Sequence, residues 1–368
     1  HDLNRPSEAL ASFERAIAID PDRADLYFNS GTSLKMIGNL EGSLAKINRA
    51  LILKNDYFAA LNNSGVILNQ LRFFKEALEC FEAAITLEPE NGAAYHHQGL
   101  VLTQLNRFCD ALVAQERAIW INPRSAETFY HQGNTFQQLK MHDEARNAFE
   151  KSISCKSDFA EAYNGLGVTM QELQKSKDAL IHFNKALFIK SDFAEAYNNR
   201  GVSLKTLKRF DEAKASYEKA ILIKPDYSEA YYNYGLAQQE LKNFGLAQRA
   251  YEKSILVNPL TIDAYNNLGA LFKEIHCFNE ARLNFLKVLE LKVGKENMTE
   301  EIERWFSDFI SLDFQPANFE SQQDLEKFLQ HLESKIDRCL QHFEIIRKSS
   351  EILQPVIDQF LFNMNGFY

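Results

Sequence analysis

Asparagine returns at a fixed interval in this chain. Asn29, Asn63, Asn199, Asn233 and Asn267 stand at multiples of 34 residues from one another, and His97, His131 and Gly165 occupy the same register. Asn is a mediocre helix former, so helix formation alone does not ask for it there. A side-chain amide carries both a donor and an acceptor, the pair that peptide backbone offers at every residue. A regular row of amides is therefore chemistry for holding an extended peptide by its main chain, with little demand on its sequence. Amides lining a groove also need partners. The candidate peptide-binding residues are Asn29, Asn63, His97, His131, Asn199, Asn233 and Asn267.

The places around this row carry chemistry of their own. One residue earlier stand Phe28, Asn62, His96, Tyr130, Asn164, Asn198, Tyr232 and Asn266, amphipathic and amide groups suited to adaptable peptide contact. Four residues before the row, Asp25, Glu127, Glu161, Glu195, Glu229 and Asp263 fall at helix starts, where the helix dipole is sufficient reason for a carboxylate. His96, His97 and His131 are potential metal ligands. Cys109 and Cys155 fall elsewhere in the unit, and residues of adjacent units are expected to sit too far apart to share an ion, so no metal site is predicted. The chain has no phosphate loop, GxGxxG or GxSxG. No catalytic residue and no cofactor is expected.

The elements that must position the row are legible in the same period. Glycine recurs at 31, 65, 99, 133, 167, 201, 235 and 269. Alanine keeps its own register from Ala9 to Ala281, with Ser43 in one gap, and an aromatic ring follows four residues later, as at Phe81, Phe183 and Tyr251. Pro21, Pro89, Pro123, Pro225 and Pro259 punctuate the units by fixing φ and removing a donor. In residues 160–190, Tyr163, Leu166, Gly167 and Met170 form one apolar stripe, and Ala179, Phe183, Ala186 and Leu187 a second, after a polar break at Gln174–Lys177. That is the pattern of two amphipathic helices. No such pair buries its apolar face alone, so stacking supplies the core. Gly31, Ala77, Phe183 and Pro225 read as structural residues.

This pattern resembles the tetratricopeptide repeat (TPR), a helix–turn–helix unit of 34 residues. The resemblance covers residues 1 to about 295, with eight complete repeats in residues 24–295 and the second helix of an earlier one in residues 1–23. It implies an all-α, right-handed TPR α-solenoid whose first helices line a concave groove. TPR domains that clamp a C-terminal carboxylate need Lys or Arg at the second, fifth and sixth places of the repeat. This chain has none at those places, so no such clamp is expected.

Charge and composition bound the rest. The net charge is −9 over 368 residues, which argues against whole-surface attraction to nucleic acid or anionic lipid. Residues 296–368 carry 14 acidic and 6 basic side chains, leaving 36 and 35 for residues 1–295. The charge thus belongs to a separate acidic helical region at 296–368, with helices expected from Thr299 to Phe309, over Ser321–Ser349 and from Ser350 to Phe362. No apolar run approaches the ~18 residues of a membrane span. An odd number of cysteines without CxxC favours a reducing compartment, hence a cytoplasmic location. The His1 start and the aromatic Gly366-Phe367-Tyr368 end are expected to be cut edges, and a first helix left uncapped at His1–Asp20 would allow self-association.

The segments Ala196-Tyr197-Asn198-Asn199-Arg200-Gly201 and Ala264-Tyr265-Asn266-Asn267-Leu268-Gly269 also resemble repeats of SPINDLY-type O-linked N-acetylglucosamine transferases. In that family the Asn row binds substrate backbone. Residues 318–343 and the terminal Gly366-Phe367-Tyr368 look like its bacterial linker and junction. This resemblance implies a catalytic domain beyond residue 368. Two functions are therefore expected in order: a scaffold that binds a partner peptide in its groove, and, alternatively, the substrate-recruiting arm of a protein glycosyltransferase.

Overall fold

The computed structural model describes residues 5–293, and among these it forms seventeen α-helices and no strand. They are α1 (Pro6–Ile19), α2 (Ala24–Ile37), α3 (Leu40–Leu53), α4 (Phe58–Gln70), α5 (Phe74–Leu87), α6 (Gly92–Gln104), α7 (Phe108–Ile121), α8 (Ala126–Gln138), α9 (His142–Cys155), α10 (Ala160–Glu172), α11 (Ser176–Ile189), α12 (Ala194–Thr206), α13 (Phe210–Ile223), α14 (Ser228–Glu240), α15 (Phe244–Val257), α16 (Ile262–Glu274) and α17 (Phe278–Val293). The fold is an all-α TPR solenoid. Two compact units divide after Leu207, the first holding α1–α12 and the second α13–α17. The acidic region assigned to residues 296–368, with its expected helices, lies outside the described residues.

In the first unit α2, α4, α6, α8 and α10 each pack on their own second helix, and each second helix packs on the first helix of the next repeat. First helices also touch one another directly: α4 with α6, α6 with α8, α8 with α10 and α10 with α12. Second helices make no comparable contact with each other. The first helices thus form the tighter, inner layer of this unit. In the second unit, α13 packs on α14, α14 on α15, α15 on α16 and α16 on α17.

Close approach within a repeat depends on the periodic glycine. A β-carbon on Gly167 would lie 2.5 Å from Cε1 of Phe183, and one on Gly65 would lie 2.7 Å from Cε1 of Phe81. Phe81, Phe149, Phe183, Tyr217 and Tyr251 are fully buried. Where the aromatic is missing, Ile47 lies against Gly31 and Gln115 against Gly99. The rings, alanines and apolar residues of neighbouring helices form successive small cores, such as Ala145, Phe149, Leu166, Met170, Ala179 and Phe183.

The turn between paired helices needs one left-handed residue. Gly38 (φ 89°) supplies it in the first repeat, and Arg72, Asn106, Lys140, Gln174, Lys208, Lys242 and His276 adopt φ of 58–65° at the equivalent places. The turn closes as a Schellman motif. Lys175 N–H donates to the Met170 carbonyl at 2.8 Å and Gln174 N–H to the Gln171 carbonyl at 2.8 Å. Only one of eight such places carries the glycine that would have marked it in sequence.

Candidate functional site

The row residues all lie on first helices. In the first unit these are Asn29 on α2, Asn63 on α4, His97 on α6, His131 on α8 and Asn199 on α12; in the second, Asn233 on α14 and Asn267 on α16. All are half-buried except Asn233, which is buried. Asn199 donates from Nδ2 to Oδ1 of Asn164 at 3.2 Å, and Asn267 donates from Nδ2 to the Tyr232 hydroxyl at 2.8 Å. In both cases a row residue bonds to the side chain one place before the row in the preceding repeat. Helix propensity gave no reason for Asn here, whereas these bonds between repeats give one.

The backbone of the row is held by side chains that the sequence reading passed over. Gln137 donates from Nε2 to the Gly165 carbonyl at 3.0 Å and to Oγ1 of Thr169 at 2.9 Å. Gln171 repeats the arrangement one unit later, with the Asn199 carbonyl and Oγ of Ser203 both at 2.8 Å. The signal was present as two glutamines in one register. Gly165 breaks the row for a steric reason, since a β-carbon there would lie 2.7 Å from the Phe149 ring.

His96, His97 and His131 are brought together, which corrects the expectation that adjacent repeats hold them apart. The ring centroids of His96 and His131 are 5.4 Å apart and those of His96 and His97 5.2 Å. The first helices of neighbouring repeats touch, so side chains on them meet across the layer. His97 stacks on Phe81 at 5.6 Å, His131 meets Tyr130 at 5.0 Å, and Tyr130 meets Phe159 at 5.1 Å. Nδ1 of His96 shares a hydrogen bond with Oγ1 of Thr128 at 3.0 Å. Burial, with a smaller effect of the neighbouring imidazoles, pushes all three rings down to about 4, so they are neutral at pH 7. Among the described residues no group of three or more His, Cys, Asp or Glu side chains is arranged to hold a metal ion.

Two of the acidic places at the helix starts pair with a lysine near the end of the same repeat. Glu161 pairs with Lys190 at 3.0 Å and Glu127 with Lys156 at 3.9 Å. Burial acts to raise the Glu161 carboxyl, but the Lys190 hydrogen bond and charge outweigh it and hold the group below its ordinary value. The same lysines lie over aromatic rings, Lys156 over Phe159 at 5.0 Å and Lys190 over Phe193 at 4.8 Å, as do Lys54 over Tyr57 at 5.3 Å and Lys224 over Tyr227 at 5.0 Å. Where that lysine is absent, the aromatic is absent too: Glu88 goes with Asn91 and Asn122 with Ser125. Asn91 and Ser125 instead cap the following helix, accepting from Ala93 N–H at 3.2 Å and Thr128 N–H at 3.3 Å. Four of the turns between repeats are thus built on a cation over a ring and two on a helix cap, while Arg23 and Thr261 at the equivalent places make no side-chain cap bond. No described helix is long and apolar enough to cross a membrane.

No curated protein sequence matches the chain. Among solved structures it is similar to a chain of the APC/C hetero-tetramer Cut9-Hcn1, with 20% identity and a TM-score of 0.58 over 73% of this chain. It spans about half, 53%, of that chain. It is similar to a tetratricopeptide repeat protein from Parabacteroides merdae, with 17% identity and a TM-score of 0.55, covering 68% of this chain and 98% of the other. It also aligns with YrrB, described as a TPR protein with an unusual peptide-binding site, at 24% identity and a TM-score of 0.42, over 51% of this chain and 96% of that one. The first two likenesses show the fold. Tetratricopeptide repeat family models match residues 2–58, 65–126, 126–159, 194–227 and 228–259. Those spans cover more than half of the sequence, and the chain belongs to the tetratricopeptide repeat family.

Proposed function

We propose that this chain is a protein–protein interaction module whose first helices hold an extended segment of a partner protein. Asn29, Asn63, Asn199 and Asn267 contact the partner's main chain, with His97 and His131 in the same row and Asn233 buried within it. The observation that carries this reading is the recurrence of donor–acceptor side chains on successive first helices, at the spacing of the repeat. The bonds from Gln137 and Gln171 support it by fixing the backbone on which the row stands. The test is a fluorescence anisotropy titration with a fluorescein-labelled Gly-Ser nonapeptide, which has main chain and little else to offer. The double variant Asn199→Ala, Asn267→Ala is expected to weaken binding while its helical circular dichroism is retained. Unchanged affinity in the folded variant removes the amide row from the function.

The finer reading, a substrate-recruiting arm of a protein glycosyltransferase, is supported by the Asn198-Asn199 and Asn266-Asn267 pairs. Reading the gene past Tyr368 tests it: a glycosyltransferase domain is expected next, and a stop codon or an unrelated domain defeats it. A cytoplasmic location is supported by five cysteines without a CxxC pair.

A further inference from the structure

The row of amides changes character in the middle of the first unit. At α6 and α8 the amides give way to His96, His97, Tyr130 and His131. These rings join Phe81 and Phe159 in one uninterrupted series, with successive centroids 5.6, 5.2, 5.4, 5.0 and 5.1 Å apart. Three of the contacts within it are edge-on, the geometry that aromatic quadrupoles favour. Amides flank the series on both sides, Asn62 and Asn63 on α4 and Asn164 and Asn199 on α10 and α12.

We propose that this series of rings is a side-chain-selecting subsite of the inner layer. It takes an uncharged aromatic side chain, Trp or Tyr, from a segment whose main chain follows the flanking amides. The inference rests on the peptide-binding reading and adds the class of residue that is recognised. His96, His97, Tyr130 and His131 are half-buried, so each keeps an exposed part. An incoming ring continues the existing edge-on pattern. A charged side chain gains less. The imidazoles are neutral, and the two ionic groups acting on them, Lys35 of α2 near His97 and Glu127 of α8 near His96, have opposite signs. A planar ring also gains from leaving water, whereas an ion loses hydration without a dedicated counter-charge.

Three fluorescein-labelled Gly-Ser nonapeptides carrying Trp, Ala or Lys at the central place test this on the full chain by anisotropy. The Trp peptide is expected to bind about tenfold more tightly than the Ala peptide. The variant His96→Asn, His97→Asn, His131→Asn replaces the imidazoles with the amides found in other repeats, and it should bring the affinities of the Trp and Ala peptides together. If those substitutions disturb the fold, the single variant His131→Asn is expected to reduce the ratio by at least about threefold. Equal binding of the Trp and Ala peptides, tighter binding of the Lys peptide, or a Trp preference that survives the Asn substitutions overturns the subsite alone. Failure of all three peptides to bind overturns the groove reading and this inference with it.

Discussion

Phe183 lies against the bare α-carbon of Gly167, so close that a β-carbon would sit 2.5 Å from the ring. Neither partner has room to withdraw, because Phe183 is fully buried. Gly167→Ala gains helix propensity but overpacks this contact, and overpacking wins by about 1–3 kcal/mol. Urea denaturation of the variant should show that loss, and a second change, Phe183→Leu, should recover part of it. Gly245→Ala gives the opposite sign. Nothing lies within 4 Å of its position in α15, so it is expected to stabilise by about 0.5–1 kcal/mol.

The turn residues should respond to the reverse change. Gln174 is exposed and holds φ at 59°, a conformation that glycine adopts without strain. Gln174→Gly is expected to raise stability by about 0.5–1 kcal/mol, and Gly38→Ala to lower it by a similar amount, both read from thermal unfolding midpoints.

Acid should weaken the first unit through its imidazoles. His96, His97 and His131 titrate near 4 when folded and near 6.5 when unfolded. The unfolded chain therefore takes up protons first. Their contribution to stability is complete above about pH 6.5 and is lost as pH falls toward about 4. Between pH 7 and 5 the melting temperature should drop, and replacing the three rings by Asn should flatten that slope. An unchanged slope in the variant would show that the acid sensitivity lies in other groups.

The Glu161–Lys190 pair should matter little to stability. Its side chains are 37% and 43% exposed, and pairs of that kind contribute about 0–1 kcal/mol. Glu161→Ala is expected to cost less than about 1 kcal/mol, with the difference shrinking as salt rises. Lys190→Met should lose both the pair and the contact over Phe193, yet keep the aliphatic cover on the ring.

The fold was legible because its determinants recur in a single column. Gly167, Ala179 and Phe183 each announce themselves through their equivalents every 34 residues. What stayed hidden depends on pairs of columns. Lys190 and Phe193 reveal their contact only when absence is compared with absence, at Glu88 with Asn91 and at Asn122 with Ser125. The meeting of His96 with His131 was missed for a different reason. Sequence distance of 35 residues suggests separation, whereas direct packing of α6 on α8 brings the two rings face to edge. The left-handed turn residues were invisible because Arg72, Lys140 and Gln174 are not residues that advertise positive φ.

The contacts that define each unit reach only a short way along the chain. Gly167 meets Phe183, Glu161 meets Lys190 and Asn164 meets Asn199, spans of 16, 29 and 35 residues. With contacts this local, order can start in any helix pair and spread to its neighbours. The same locality makes the chain editable. Excising residues 160–193 would join Phe159 to Ala194, where the wild-type chain joins Phe193 to Ala194, and so recreate the same kind of turn with every remaining column in register.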